Sequence, residues 1–354
     1  MAAFTTIDDA GLFFNTLLWT GTGSSHAITG VGFTPDMTWI KKRDGTTNHQ
    51  VQDTVRSALT QGFTLYPNES DAQQEHGASI TSWDADGFTL GTDGPVNGSS
   101  DTFAGWSWKA GTTTGIATNG STTITPSSYS FNQTSRFSVL YYTGNATSGA
   151  GLAHGLGVTP TMVIFKNLQT TESWMVYQQY LQTPPENYAM QLNTTGQAAS
   201  NSTNFNNTAP DSVNMILGNG AGTNSVNTFI AYCFADIQGY SKFGGYTGNG
   251  NADGPFIYTG FKPACIIIKI SIGSGTGNWH IFDNKRLGYN VDNNFLYPNL
   301  TNAEDATDVI DLTSNGFKIR ATEFGINADA KSLIYAAWAK SPFVNSEGVP
   351  NNAR

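Results

Sequence analysis

Apolar residues in this chain fall in short runs rich in β-branched and aromatic side chains, punctuated by Gly, Asn, Thr, Ser and Pro, without a sustained helical period. Such runs predict strands, and one of them recurs. The segments GFTPDMTWIK (32–41), GVTPTMVIFK (157–166) and GFKPACIIIK (260–269) each place Gly first, Pro three positions later and Lys six beyond that. Proline is tolerated as the first residue of a strand, and the branched residues behind it suit a buried one. Each segment therefore reads as a strand opened by Pro35, Pro160 or Pro263, after Gly32, Gly157 or Gly260. The lysines that close the segments, Lys41, Lys166 and Lys269, read as side chains that snorkel off a sandwich edge and discourage edge-to-edge pairing.

The repeat extends beyond this frame. A Thr-Gly step precedes each segment (Thr20-Gly21, Thr143-Gly144 and Thr247-Gly248), and an apolar strand closes each unit, starting at Phe103, Phe229 or Leu333. Aligning the closing strands puts Trp108, Phe234 and Trp338 at one position and Trp106, Tyr232 and Ala336 two residues earlier. The first and third copies also share LYPN, from Leu65 and Leu296, and Asp53-x-x-Arg56 recurs as Asp283-x-x-Arg286, an i,i+3 ion pair suited to steadying a turn. Asp86-Gly87 and Asn315-Gly316 carry the chemistry of a two-residue hairpin turn. The middle copy runs instead through an Asn/Thr/Ala-rich stretch, 191–210, that reads as a long loop.

The resulting division is an attachment segment at 1–13, repeats at 14–111, 136–239 and 240–345, a Gly/Thr/Ser-rich linker at 112–135 and a tail at 346–354. A chain of 354 residues also exceeds one ordinary core, since single cores stop growing at roughly 250–300 residues. The predicted fold class is all-β, with three tandem β-sandwich domains of jelly-roll or lectin-like type.

Composition narrows the function. With 17 Lys and Arg against 26 Asp and Glu, the net charge of -9 gives no footprint for a phosphate backbone, so nucleic acid is not an expected partner. No apolar run approaches the ~20 residues of a membrane span, and the N-terminal MAAFTTIDDAGLFF lacks the basic and apolar regions of a signal peptide, so synthesis in cytoplasm without membrane insertion is expected. Cys233 and Cys265 sit inside apolar runs and read as small buried hydrophobes.

The sequence spaces no catalytic constellation. The histidines at 26, 49, 76, 154 and 280 are scattered without metal-ligand spacing, and no metal or cofactor is expected. SWDADGFTLG (82–91) resembles a cation loop only in part and reads as a hairpin. Asp84, Asp86, Glu304 and Asp305 offer carboxyls for glycoside hydrolysis, but nothing in the sequence brings two together, and the chain is not expected to be an enzyme. Trp39, Trp106, Trp108 and Trp338 lie in apolar strands and are core residues, whereas Trp83, Trp174 and Trp279 stand beside polar or Gly-rich segments. Those three are the candidates for a sugar-stacking face, with core or rim packing as the simpler reading.

FNTLLWTGTGSSHAITGVGFTPDMTWIKKRD (14–44), DGFTLGTDGPVNGSSDTFAGWSWKAG (86–111), LAHGLGVTPTMVIFKN (152–167) and YSKFGGYTGNGNADGPFIYTGFKPACIIIKI (240–270) resemble a family of structural proteins of tailed bacteriophages, especially marine and cyanobacterial ones. The resemblance covers nearly the whole chain and rests on scaffold motifs. It implies a virion component, a tail fibre or tail-tip part touching host-surface polysaccharide, or else a capsid decoration protein. It also implies assembly with other virion proteins in host cytoplasm, with a homotrimer expected because appendages of this kind obey rotational symmetry. It transfers no catalytic or binding residue.

Overall fold

The computed structural model describes residues 4–57, 62–273, 277–286, 290, 293–322 and 324–351. Strands dominate and nearly all pair antiparallel, so the protein has an all-β sandwich architecture, as the short branched runs require. In the first repeat a large sheet orders Phe14–Thr20, Thr102–Trp108, Met37–Lys42 and Gln50–Asp53. A small sheet orders His26–Thr29, Gly87–Leu90 and Ile80–Asp84. The same order returns as Phe137–Thr143, Thr228–Phe234, Met162–Asn167 and Met175–Gln178, and again as Ser241–Thr247, Ser332–Pro342, Phe261–Ile272 and His280–Asp283. The third small sheet orders Phe256–Tyr258, Gly316–Ile319 and Ile310–Leu312.

Each closing strand lies between the unit's first strand and its Pro-to-Lys strand, and this explains its unbroken apolar character. One face packs on the small sheet of its own unit, through Trp19, Ile28, Ile40, Phe88 and Phe103 in the first repeat and Leu140, Tyr142, Val163, Phe229 and Cys233 in the second. The opposite faces of all three large sheets meet in one common core. A sheet buried on both faces needs near-continuous apolar runs rather than alternation. At the centre of that core the aligned residues Trp108, Phe234 and Trp338 touch one another, with ring centroids 5.2 Å (Trp108 to Trp338), 5.4 Å (Phe234 to Trp338) and 6.3 Å (Trp108 to Phe234) apart. The repeats share a core and are not beads on a string.

Several expectations change accordingly. The stretch 112–135 is not a plain linker, because Thr122–Ile124 pairs with Ala150–Ala153 and Ser128–Asn132 pairs with residues 137–141 of Phe137–Thr143, both within the second repeat. The described part of the attachment segment is not a free arm: Ile7 and Ala10 enter the common core. Its Asp8 carboxylate accepts from the Ser346 backbone N–H at 2.7 Å, which ties down the tail as well. Residues 1–3 and 352–354 lie outside the described residues. The loop expected at 191–210 contains a strand, Ala199–Ser200, and a helical turn, Ser202–Phe205, capped by the Asn201 side chain; Phe205 is buried in the second repeat's core.

The Gly anchors have a conformational cause. Gly32, Gly157 and Gly260 have φ of +87°, +72° and +84°, in the region that L side chains rarely adopt. Pro35 and Pro160 lie two residues ahead of the strands at Met37 and Met162, whereas Pro263 lies inside Phe261–Ile272 at a register shift that spares it a ladder hydrogen bond. The first hairpin turns at Ala85-Asp86, one residue before the predicted pair, since Gly87 already pairs with Asp84.

Candidate functional site

The repeats meet at three seams, and the same bonds recur at each in one rotational sense. Position 49 of the first repeat corresponds to 174 of the second and 279 of the third. His49 Nε2 lies 3.0 Å from the Tyr297 carbonyl oxygen, Trp174 Nε1 donates to the Tyr66 oxygen at 2.9 Å, and Trp279 Nε1 donates to the Gln191 oxygen at 3.0 Å. Backbone bonds repeat the pattern. Gln73 N–H donates to Leu168 O at 3.2 Å, Ala198 N–H to Ser271 O at 3.0 Å and Glu304 N–H to Arg43 O at 2.7 Å. First contacts third, third contacts second and second contacts first, so the chain closes a head-to-tail ring on itself.

Two of the tryptophans expected as stacking candidates, Trp174 and Trp279, are thus seam residues with 1% exposure each and offer no face to a ligand. Trp83 is half-buried and packs edge-on against Phe88 at 6.5 Å. The lysines also depart from expectation. Lys41, Lys166 and Lys269 are fully buried, and their ammonium groups donate to backbone oxygens rather than reach water. Lys166 donates to Glu172 O (2.7 Å) and, across a seam, Ser70 O (3.0 Å), and Lys269 crosses the next seam to Thr195 O (3.0 Å). Lys41 stays local, on Lys42 O and Gly45 O. Burial pushes their pKa values down to about 8 for Lys41 and Lys166 and about 7 for Lys269.

The Asp53–Arg56 and Asp283–Arg286 pairs, each 2.7 Å, are buried and also serve the seams. Tyr232 of the second repeat donates to Asp53 of the first at 2.7 Å, and Trp106 of the first donates to Asp283 of the third at 3.1 Å. In the third repeat the corresponding position is Ala336, which carries no donor, and here Gln178 of the second repeat donates across the seam instead, to Gly244 O at 3.3 Å and Tyr335 O at 3.5 Å. Arg43 grips Glu304 with two bonds, at 2.9 and 3.1 Å. Burial alone would raise the Glu304 pKa, but Arg43 and Arg286 hold it below the usual range. Asp86 accepts from the backbone N–H groups of Gly30 (2.9 Å) and Gly32 (2.6 Å). Asp84 accepts from the Ser82 and Thr89 hydroxyls and Asp305 from Thr307, so all four carboxyls considered for glycoside chemistry have partners within the scaffold. Among the described residues, no group of three or more His, Cys, Asp or Glu is placed to hold a metal ion, and no helix is long and apolar enough to cross a membrane. Cys233 and Cys265 are buried free thiols.

Three asparagines escaped the sequence reading. Asn97, Asn224 and Asn327 are wholly buried, each just before a closing strand. Asn224 accepts from Asn145 N–H at 2.9 Å and donates to Gly218 O at 2.7 Å and Thr147 O at 3.0 Å. Asn97 and Asn327 make the corresponding bonds. Each clamp lies against the Thr-Gly step: a Cβ on Gly21, Gly144 or Gly248 would fall 2.1, 2.0 or 2.3 Å from a backbone oxygen.

Exposed aromatic surface concentrates on the third repeat. Phe256 and Tyr258 alternate outward from the edge strand of its small sheet, 47% and 56% exposed, while Ile257 between them is buried. The paired register places Ala27 and Thr29 at these positions in the first repeat, where Ile28 faces Phe88 as Ile257 faces Phe317. Lys318 lies opposite Phe256, bonded to Asp253 at 2.7 Å. Two grooves flank the neighbouring edge strand Ser241–Thr247. One, of about 420 Å³, is lined by Phe4, Asp236, Lys242, Tyr258 and Phe343; the other, of about 330 Å³, by Tyr180, Gln182, Gly245, Tyr246 and Ile272.

No curated protein and no solved structure matches the chain. A family model does, in a single match that takes in all three repeats rather than each separately. Over residues 9–342 the chain matches the family described as "Domain of unknown function (DUF7483)", and it belongs to that family.

Proposed function

We propose that this protein is a non-catalytic structural component of a tailed-bacteriophage virion, at the tail fibre or tail tip, where it contacts host-surface polysaccharide. The family resemblance of the repeated scaffold motifs supports the virion setting. The observation that carries the adhesive role is the outward pair Phe256 and Tyr258, which puts rigid aromatic area beside Lys318 and Asp253 and beside Asn- and Gly-rich turns. Such surfaces combine stacking with adaptable hydrogen bonding. Soluble protein should compete with phage adsorption to host cells, the Phe256→Ala/Tyr258→Ala double variant should compete at least tenfold less well, and surface glycan incubated with the protein should keep its chain length. A second reading, capsid decoration or another purely structural role, is favoured by the uncovered edge strand and its two grooves, which suit a neighbouring subunit. It takes over if saturating soluble protein neither binds cells nor slows adsorption while virions lacking the chain lose particle stability.

A further inference from the structure

The three repeats serve as comparison structures for one another, and one of their differences lies beside the outer edge of the large sheet. In the second repeat the outer edge of the large sheet, Phe137–Thr143, is covered by Ser128–Asn132, which pairs with it antiparallel from Ser128 opposite Tyr141 to Asn132 opposite Phe137. The covering strand also fills the seam. It packs against the helical turn Thr54–Ser57 of the first repeat, and Ser130 Oγ donates to Asp36 of that repeat at 2.7 Å. The strand is supplied by the long connection 112–135. The connection from second to third repeat, 235–240, is too short to cross back and lay a strand, since each extended residue spans only about 3.3 Å.

The counterparts of that covered edge, Phe14–Thr20 in the first repeat and Ser241–Thr247 in the third, are both terminal strands of their sheets, and grooves flank the third. The counterpart of the helical turn is 179–182, three of whose residues, Gln179, Tyr180 and Gln182, line the 330 Å³ groove. The groove thus lies where, at the other seam, the strand lies. The 420 Å³ groove marks the opposite end of the same edge, at Ser241 and Lys242. Phe243 N–H donates to the Asp236 side chain at 2.9 Å instead of to a strand, so by the alternation of an antiparallel ladder the backbone groups of Gly245 and Thr247 also point outward. Where the other edges carry Leu18 and Tyr141 this one carries Gly245, so no side chain stands between the edge and the 49% exposed Tyr180, whose Cβ would lie 3.4 Å from a Cβ on Gly245.

We propose that Ser241–Thr247 is a docking edge for one extended segment of another polypeptide of the assembly, added as an antiparallel strand in the position that Ser128–Asn132 holds on the second repeat. The internal example fixes the chemistry of the occupant: a short uncharged segment alternating small polar and aromatic residues, as in Ser-Tyr-Ser-Phe-Asn, with main-chain bonds supplying affinity and the two grooves receiving side chains. The inference is independent of the host-contact reading, because it concerns a sheet edge and not the outward pair Phe256 and Tyr258.

The test uses the full chain and, as probe, a synthetic peptide of residues 126–134, PSSYSFNQT, in native and backbone N-methylated forms. The native peptide should bind and slow amide exchange at Gly245 and Thr247 at least tenfold. The N-methylated peptide should not bind, and Gly245→Pro, which removes an outward donor, should weaken binding at least tenfold. Should the proline variant fold poorly, the N-methylated peptide decides alone. Equal binding of both peptides, protection on another strand, or no binding at millimolar peptide overturns the proposal. Self-association of the chain at tens of micromolar that protects Gly245 also overturns it, by making a second copy the occupant.

Discussion

Tyr232 and Asp53 lie 179 residues apart and are joined by a 2.7 Å hydrogen bond, the phenol of one repeat donating to a buried carboxylate of another that is already paired with Arg56. The bond ties a local turn to a distant strand. Tyr232→Phe keeps the ring and removes the donor, so it should cost about 1.5–3 kcal/mol, the range for a hydrogen bond to a charged group. Urea unfolding should report that loss. A cycle with Asp53→Asn should show coupling well above the few tenths of a kcal/mol of unrelated sites.

Asn224→Ala removes one acceptor and two donor contacts that a wholly buried side chain makes to the backbone of Asn145, Thr147 and Gly218. The expected loss is about 2–4 kcal/mol, since unsatisfied buried groups cost about 1–3 kcal/mol each and some relax onto water. The exposed Asn145, changed to Ala, should cost less in the same thermal melt. Equal losses would mean that the clamp does not hold the two loops.

Stability should climb with pH above neutrality. The Lys269 pKa is lowered from 10.5 to about 7 by burial, so between those values the unfolded chain binds more protons than the folded one. The penalty for burying the charged form is complete below about pH 7, falls as pH rises and is gone above about 10.5. Lys41 and Lys166, lowered to about 8, act in the same sense over a narrower window. Lys269→Met should flatten the rise, and denaturant midpoints at pH 7 and 9 would reveal it. An unchanged slope would contradict the burial of this ammonium group.

The Cys233 thiol is buried and its pKa is pushed up to about 12 by that burial, and burial likewise raises the Cys265 thiol well above its ordinary value. A thiolate-selective reagent should therefore modify both only through unfolding. Labelling followed by mass spectrometry should show the two cysteines reacting together, at the rate set by denaturant. Rapid modification in native buffer would place either thiol nearer the surface.

The strand frame was legible because it is local: a Gly at positive φ, a Pro ahead of the ladder and a branched run each leave a mark within ten residues. The alignment of Trp108, Phe234 and Trp338 even selected the residues that meet at the centre, although nothing in the sequence says that they touch. What escaped is non-local. Trp174 and Trp279 stand beside polar residues in sequence and are buried by the next repeat around the ring. The three lysines have charged tips that look destined for water, yet loop oxygens receive them. The asparagine clamps do leave a signal, an Asn shortly before each closing strand, but in an Asn-rich chain one asparagine looks like another.

The closed ring of seams has a genetic consequence. In an assembly of identical subunits every substitution at an interface is made at all the equivalent places at once, so no corner can differ from the others. Here the corners are written separately. One carries Arg43 gripping Glu304, another the phenol of Tyr232, a third Gly245 beside Tyr180. Because the units are covalently joined, the ring needs no minimum concentration to close. A body built this way can be altered at one corner while the other two stay as they are.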